Sequence, residues 1–76
     1  MKVAVDISLY PLDADFIPPI KDVIDRLNRH ARLEVWTNAM STQVVGEFDD
    51  VMDALRQEIG ATFESIPTGV FVMKMF

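Results

Sequence analysis

The side chains of this sequence that can do chemistry are short hydrogen-bond donors and acceptors set among β-forming residues. They concentrate in VDISLY, residues 5–10, and WTNAMSTQ, residues 36–43. Such groups can orient a small ligand between apolar walls, and an aromatic ring beside them can stack on it. No nucleophile lies beside a base, and the single histidine, His30, lies outside both segments. We therefore expect a binding site without catalytic residues, formed by Asp6, Ser8, Tyr10, Trp36, Asn38, Ser41, Thr42 and Gln43.

Each of these residues also has an ordinary structural interpretation. A lone tryptophan such as Trp36 is more often packed in an interface or a core than used for stacking. Gln43 can pair with Trp36 across two strands, and threonine has a good β propensity. Asp6 is the hardest to explain in this way, because a carboxylate in mid-strand is costly to bury unless it is paired or hydrogen-bonded.

The composition predicts a small folded domain that needs support beyond its own core. The 76 residues allow one domain, residues 1–76, and 50% of them are hydrophobic. A domain of this length has a thin core, and without cysteines it has neither disulfides nor thiolate zinc sites. We therefore expect self-association as a homodimer or homotetramer, with no metal site and no cofactor.

The charge of the sequence bears on its partners. The formal net charge is −5 at pH 7, which argues against nucleic acid and anionic membranes, because both are bound by basic patches. A cationic small ligand is compatible with this charge. The N-terminal segment does not resemble a signal peptide, and no apolar run approaches the ~20 residues of a membrane span. We expect a cytoplasmic protein.

The first part of the sequence predicts a strand and then a helix. KVAVDISLY, residues 2–10, alternates as a half-buried strand does, and Pro11 ends it. Pro18 and Pro19 suit the first turn of a helix, and apolar residues follow at helical spacing. We expect this helix to end near His30, a surface residue whose charge, with those of Arg26 and Arg29, complements the helix dipole.

LEVWTN and STQVVGE, residues 33–38 and 41–47, predict the two strands of an antiparallel hairpin. The connection contains neither Asn-Gly nor a glycine, so a two-residue turn and a four-residue loop are both compatible with it. Gly46 suggests a bulge or an adjustment at the strand end. Both connections give the same register, in which Thr37 faces Thr42, Trp36 faces Gln43 and Val35 faces Val44.

The remaining residues predict a second helix, which Asp49 or Asp50 can cap, and a final strand, VFVMKMF. The order β-α-β-β-α-β is that of a ferredoxin-like α+β sandwich, a four-stranded antiparallel sheet with two helices on one face. Right-handed crossovers place the first and third strands at its centre. The final strand is apolar on both faces apart from Lys74, so its orientation stays open.

This fold leaves one face of the sheet without helices. Val3, Val5, Ile7, Leu9, Val35 and Val44 share the face that can meet the helices. The opposite face, with Trp36 and Tyr10, is too apolar to be left in water. We expect the ligand on that bare face or at an oligomer interface.

Four segments, DISLYPL, IPPI, TNAMSTQVVGE and VFVMK, together resemble the YkoF-type thiamine/hydroxymethylpyrimidine-binding family. The resemblance spans nearly the whole chain in the same order. It implies a ferredoxin-like, non-enzymatic binder of thiamine or its hydroxymethylpyrimidine half that forms dimers or higher oligomers. The matched positions imply ligand-binding roles for Ser8, Tyr10, Asn38, Ser41 and Thr42.

An aminopyrimidine suits the polar residues singled out above. Asp6, Asn38 or Gln43 can accept from its amine, and Ser8, Ser41 or Thr42 can donate to a ring nitrogen. Trp36 or Tyr10 can stack on the ring, and an aromatic face or Asp6 favours the thiazolium charge of thiamine. No glycine-rich phosphate cradle is present, so we expect thiamine or hydroxymethylpyrimidine to bind better than thiamine diphosphate.

Two other functions stay open at this point. An oligomeric regulatory or structural module without a ligand would explain Trp36 and the apolar final strand, but it explains Asp6 less well. A cofactor-free enzyme of the dimeric ferredoxin-like type is the less favoured alternative, because the sequence offers no acid–base pair.

Overall fold

The computed structural model describes residues 1–76 as a four-stranded antiparallel sheet with two helices on one face, so the predicted ferredoxin-like fold is confirmed. The strands lie in the order β2-β3-β1-β4, with β1 and β3 at the centre. Neither helix is long and apolar enough to span a bilayer. The elements are β1 (Lys2–Tyr10), α1 (Ile17–Leu27), β2 (Glu34–Thr37), β3 (Thr42–Glu47), α2 (Phe48–Ser65) and β4 (Val70–Met75).

The alternation of β1 separates the two faces of the sheet as the sequence predicts. Val5, Ile7 and Leu9 are buried beneath the helices, while Asp6 and Ser8 point to the bare face. The predicted hairpin register is also confirmed, from Thr37 opposite Thr42 to Val35 opposite Val44. One contiguous core results, formed by Val5, Ile7, Leu9, Val23, Leu27, Val44, Val51 and Leu55.

Pairing with β1 fixes the orientation of β4. Val72 lies opposite Ser8 and Lys74 opposite Asp6, so both side chains share the bare face with these residues. Met73 lies opposite Ile7, on the face that carries the helices.

Helix α1 ends at Leu27, earlier than the predicted end near His30. Asn28 follows it and donates twice to the Ile24 carbonyl, from its backbone N–H at 3.0 Å and from its side-chain Nδ2 at 2.9 Å. Asparagine side chains compete in this way for backbone carbonyls and favour helix ends. The chain then continues in turns, where His30 donates its N–H to Leu27.

The start of α2 also differs from the prediction that Asp49 or Asp50 caps it. Glu47 occupies the cap position with an extended backbone and makes no capping side-chain hydrogen bond. Instead, the Phe48 N–H donates to the carbonyl of Met1 at 2.9 Å, so the residue before β1 pairs with one of the unpaired donors at the helix start. Asp49 and Asp50 lie in the first turn, where their charge complements the helix dipole.

Gly46 does not form a bulge, because it pairs in regular register with Val3. A Cβ atom at this position would lie 2.8 Å from Leu33 Cδ2 and 3.5 Å from a Val51 methyl. The glycine therefore allows the segment before β2 and the start of α2 to approach the sheet closely.

The two helices are joined by a polar cluster around the buried side chain of Glu58, which is 5% exposed. Its carboxylate accepts from Arg26 Nε at 2.9 Å and lies 2.6 Å from His30 Nε2. Arg26 also donates to Thr62 Oγ1 at 2.7 Å. His30 stays partly exposed at the surface, but the turns after α1 bring its imidazole onto the Glu58 carboxylate, a contact that the sequence did not predict.

Removing this carboxylate should destabilise the fold. We expect Glu58→Ala to lower the free energy of unfolding by about 2–4 kcal/mol, because Arg26 loses its counter-charge in a largely buried place. This expected loss of stability is no larger than that of a fully buried ion pair, because Arg26 and His30 are partly exposed. Urea denaturation at one protein concentration measures it, with Glu64→Ala as the exposed control on α2. Equal stability of the two variants would contradict a stabilising role for the cluster.

Candidate functional site

A cavity opens where β3 ends and β1 continues. β3 begins at Thr42 opposite Ile7, whereas β1 continues beside β4 until Tyr10 faces Val70. The segment Ser8–Tyr10 therefore has a strand on one side only. The gap on its other side holds a cavity of about 460 Å³. This volume lies within the ~300–1,000 Å³ range of small-molecule sites.

Apolar side chains of α1 form the main wall of this cavity. They recur at helical spacing on the face that α1 turns to the sheet. Phe71 of β4 and Phe16 before α1 extend the wall, and half of the Phe16 side chain stays exposed. The α1 residues concerned are Ile20, Val23, Ile24 and Leu27.

The backbone of Leu9 faces the cavity with a free donor and a free acceptor. Ala4 and Phe76 exchange two backbone hydrogen bonds, of 2.7 and 2.8 Å, beside the end of β4. Because such pairs alternate along an antiparallel ladder, Ser8 and Tyr10 direct their backbone groups to β4, and Leu9 directs its N–H and C=O away from β4. β3 does not reach this level, and no turn or loop hydrogen bond involves Leu9.

The hairpin tip beside the cavity is held by the side chain of Asn38. Its Oδ1 accepts from the backbone N–H of Met40 at 2.8 Å and of Ser41 at 3.0 Å. These two bonds use both lone pairs of the amide oxygen, so Asn38 can offer a ligand only its Nδ2 donor. The expectation that Asn38 accepts from a ligand amine therefore does not fit this geometry.

Hydroxyl groups surround the open end of the gap. The Ser8 hydroxyl donates to the Met40 carbonyl at 3.2 Å, which ties β1 to the hairpin tip. Thr37 Oγ1 and Thr42 Oγ1 form a hydrogen-bonded pair at 3.1 Å at the mouth of the hairpin. The Ser41 hydroxyl lines the cavity and makes no hydrogen bond within the chain, so it can either donate or accept.

The loop between β1 and α1 closes one side of the cavity. Leu12 has a left-handed backbone (φ 58°), which costs a non-glycine residue ~1–2 kcal/mol, and its side chain is largely exposed. Asp13 Oδ1 accepts from the Asp15 N–H at 2.9 Å and so orders the loop. The Asp13 carboxylate is the one formal charge among the residues that line the cavity.

Five of the eight predicted site residues line this cavity, namely Ser8, Tyr10, Asn38, Ser41 and Thr42. Sequence reasoning did not find the Leu9 backbone or Asp13. The sequence carried no signal for Leu9, because its free backbone groups depend on the different lengths of β1 and β3 in the structure, nine residues against six.

The other three predicted residues, Asp6, Trp36 and Gln43, lie outside the cavity on the bare face. Trp36 is 64% exposed, and Gln43 lies between it and Asp6 in the sheet. Asp6 Oδ1 is buried without a hydrogen-bond partner, although Lys74 is its neighbour on β4. The structure therefore separates an enclosed site at the end of the sheet from an open apolar face.

Comparisons with solved structures agree with the fold. A hypothetical protein of Methanocaldococcus jannascii is 26% identical, with a TM-score of 0.85 over 99% of this chain and 78% of that one. A Streptococcus pneumoniae protein, at 19% identity, has a TM-score of 0.79 and matches 100% of this chain and 86% of its own.

A third solved structure carries a functional name. It is a Thermotoga maritima protein named as a candidate for thiamine biosynthesis or salvage, with 23% identity and a TM-score of 0.74. The match covers 99% of this chain and 82% of that one. A search of curated proteins finds no significant match.

A sequence profile extends the agreement from fold to family. The profile of the YKOF-related family matches residues 2–69, which include both central strands, both helices and the hairpin that bounds the cavity. The chain therefore belongs to the YKOF-related family.

Proposed function

We propose that this protein is a non-enzymatic binder of thiamine or of its hydroxymethylpyrimidine half, and that the ligand lies in the cavity beside β1. The observation that carries this proposal is the free N–H and C=O of Leu9, which face an apolar cavity side by side. A 4-aminopyrimidine presents the complementary pair along one edge, a ring nitrogen that accepts and an amine that donates.

The binding geometry that we propose extends the sheet by one flat ring. The Leu9 N–H donates to the ring nitrogen and the Leu9 carbonyl accepts from the amine, as a neighbouring strand would do. The apolar side chains of α1 then cover one face of the ring, and the exposed Tyr10 ring lies at the opening.

The remaining polar groups select the orientation of the ligand. Asn38 Nδ2 donates a hydrogen bond to the ligand. The hydroxyls of Ser8, Ser41 and Thr42 surround the hydroxymethyl group of the ligand. The thiazolium of thiamine extends towards Asp13, whose negative charge favours a cation. The functional name of the Thermotoga maritima relative supports a thiamine-related ligand. We further propose that the protein works as a homodimer or homotetramer, without a cofactor.

A second candidate function rests on the bare face. Asp6 Oδ1 is buried without a partner, and the same face carries the exposed Trp36 and Tyr10 and the half-exposed Val72. A surface of this kind favours contact with another molecule. An oligomeric module without a ligand would use this face alone, whereas the binder that we propose uses the face for assembly and the cavity for its ligand.

The pyrimidine edge gives the first test. Replacing the 4-amino group of hydroxymethylpyrimidine by hydrogen should weaken binding about 10- to 100-fold, because the Leu9 carbonyl then faces a C–H group and a hydrogen bond worth ~1–3 kcal/mol is lost. Isothermal titration calorimetry measures this. A matched analogue that keeps the amine but carries methyl in place of hydroxymethyl should lose much less affinity. Equal affinity for hydroxymethylpyrimidine and its analogue without the amine would contradict recognition by Leu9.

Two substitutions at Asn38 separate its role at the hairpin tip from its role toward the ligand. Asn38→Asp keeps the oxygen that accepts from Met40 and Ser41, so stability should change by less than about 0.5 kcal/mol. Affinity for hydroxymethylpyrimidine should fall about tenfold, because the donor is replaced by an acceptor. Asn38→Ala should lose affinity and also about 1 kcal/mol of stability. Wild-type affinity in Asn38→Asp would show that Nδ2 does not touch the ligand.

The charge of the cavity gives the third test. Thiamine should bind about tenfold or more tightly than thiamine diphosphate, because Asp13 repels phosphate and no lysine or arginine lines the cavity. Asp13→Lys should reduce the difference in affinity between thiamine and thiamine diphosphate. Asp15→Lys is the matched control, since it changes the charge equally on a residue outside the lining. A calorimetric preference of the wild type for the diphosphate would overturn the proposed selectivity.

A further inference from the structure

Three large apolar side chains are exposed to water around the opening of the cavity. Leu12 is 67% exposed, Phe16 50% and Met40 83%, and all three line the cavity. Single exposed apolar residues are common on protein surfaces, but these three converge on one opening. Leu12 and Phe16 belong to the loop between β1 and α1, residues 11–16, whereas Met40 belongs to the hairpin tip.

Hydrogen bonds hold the hairpin tip in place but not the loop. Both backbone groups of Met40 are bonded to side chains of the hairpin and β1, its N–H at 2.8 Å and its carbonyl at 3.2 Å. Among residues 11–15 one hydrogen bond forms, from the Asp15 N–H to the Asp13 side chain. This bond keeps the shape of the loop but joins it to no other element. Segments with so few bonds to their surroundings open at a low cost in free energy.

The two ends of the loop are stiff, and Leu12 lies between them with a strained backbone. Pro11 is buried, and Pro18 and Pro19 lie in the first turn of α1, so each pyrrolidine ring fixes φ. Leu12 follows Pro11 with a left-handed backbone (φ 58°). Such strain concentrates at ligand clamps and switch segments, where the residue has two conformations to choose between. A rotation of Leu12 towards negative φ would move the residues that follow relative to β1.

We propose that residues 12–16 are a lid that closes over the ligand, with Leu12 as its hinge and Met40 as the fixed side on which it rests. This inference rests on the proposed function, because the lid closes only over a ligand in the cavity. On closure the side chains of Leu12 and Phe16 leave water and pack against Met40 and the outer face of the ligand. Helix α1 already covers the inner face, so the ligand is enclosed between two apolar surfaces.

The lid also carries the one charged side chain of the cavity lining. Asp13 lies between Leu12 and Phe16, so closure brings its carboxylate towards the ligand. Closure also excludes water, which strengthens the attraction between this carboxylate and a cation. A ligand with a positive ring, such as thiamine, therefore closes the lid more firmly than the neutral hydroxymethylpyrimidine does.

Closure acts on the release of the ligand more than on its entry. The open cavity admits a ligand before the apolar contacts of the lid have formed. Those contacts must then break before the ligand can leave, and lid opening of this kind often limits the rate of release.

Stopped-flow measurement of thiamine dissociation from the full chain tests the lid. Leu12→Asn removes the apolar side chain and keeps the backbone, because asparagine adopts the left-handed conformation more readily than most residues. We expect Leu12→Asn and Phe16→Ala each to release thiamine about tenfold faster, with association changed less than about twofold. Leu12→Asn should accelerate the release of hydroxymethylpyrimidine less. Ile17→Ala is the matched control and should keep the wild-type rate, because Ile17 is 61% exposed beside Phe16 but does not line the cavity.

A measurement on the wild-type protein keeps the test decisive if a variant folds poorly. With thiamine bound, nuclear Overhauser effects should join the Leu12 methyl protons to the ligand, and their absence would overturn the lid. Wild-type release rates in both Leu12→Asn and Phe16→Ala would also overturn it, as would an equal acceleration in Ile17→Ala. Each of these results leaves the proposed function intact. A wild-type protein that does not bind thiamine would overturn the proposed function and the lid together.

Discussion

Strand β1 extends past the end of β3, and the candidate site depends on this difference in length. Where β3 is present, it satisfies the outward backbone groups of β1 at Val5 and Ile7. One step further, at Leu9, the same groups meet a cavity instead of a strand. Buried backbone groups need partners, so a flat ligand with matching edge atoms can take the place that β3 leaves empty. The hairpin tip, fixed by Asn38 Oδ1, sets the far side of the gap and leaves room for a ring.

The rest of the fold holds the walls of this gap in place. Helix α1 provides the apolar wall, and the cluster around Glu58 fixes α1 to α2 through Arg26 and His30. Helix α2 in turn packs on the central strands, which define where β1 lies relative to the hairpin. The helices cover β4 at Phe71, whose ring packs edge-on against Phe63 of α2, but they leave the outer edge of the sheet and the bare face exposed. The candidate site and the exposed apolar face therefore lie on different parts of one small sheet.

Much of this architecture could be predicted from the sequence because it depends on short-range patterns. Alternation in residues 2–10 gave the strand and its faces, and the hairpin register followed from a connection that allowed no other. The position of the cavity depends on where β3 stops relative to β1, which is a long-range property that residue types do not reveal. Backbone groups carry no sequence signature either, so the free N–H and C=O of Leu9 could be identified only from the hydrogen-bond ladder between the strands. The contact between His30 and Glu58 was missed because the two residues are 28 positions apart in the chain.

The most direct measurement is an NMR titration of the ¹⁵N-labelled protein with thiamine. If the ligand lies beside β1, the backbone amide of Leu9, the amides of Met40 and Ser41 and the side-chain amide of Asn38 should shift together. The indole N–H of Trp36, on the bare face, should stay unchanged. Shifts that centre on Trp36 while Leu9 and Asn38 remain still would contradict the account, as would a spectrum that thiamine and hydroxymethylpyrimidine leave unaltered.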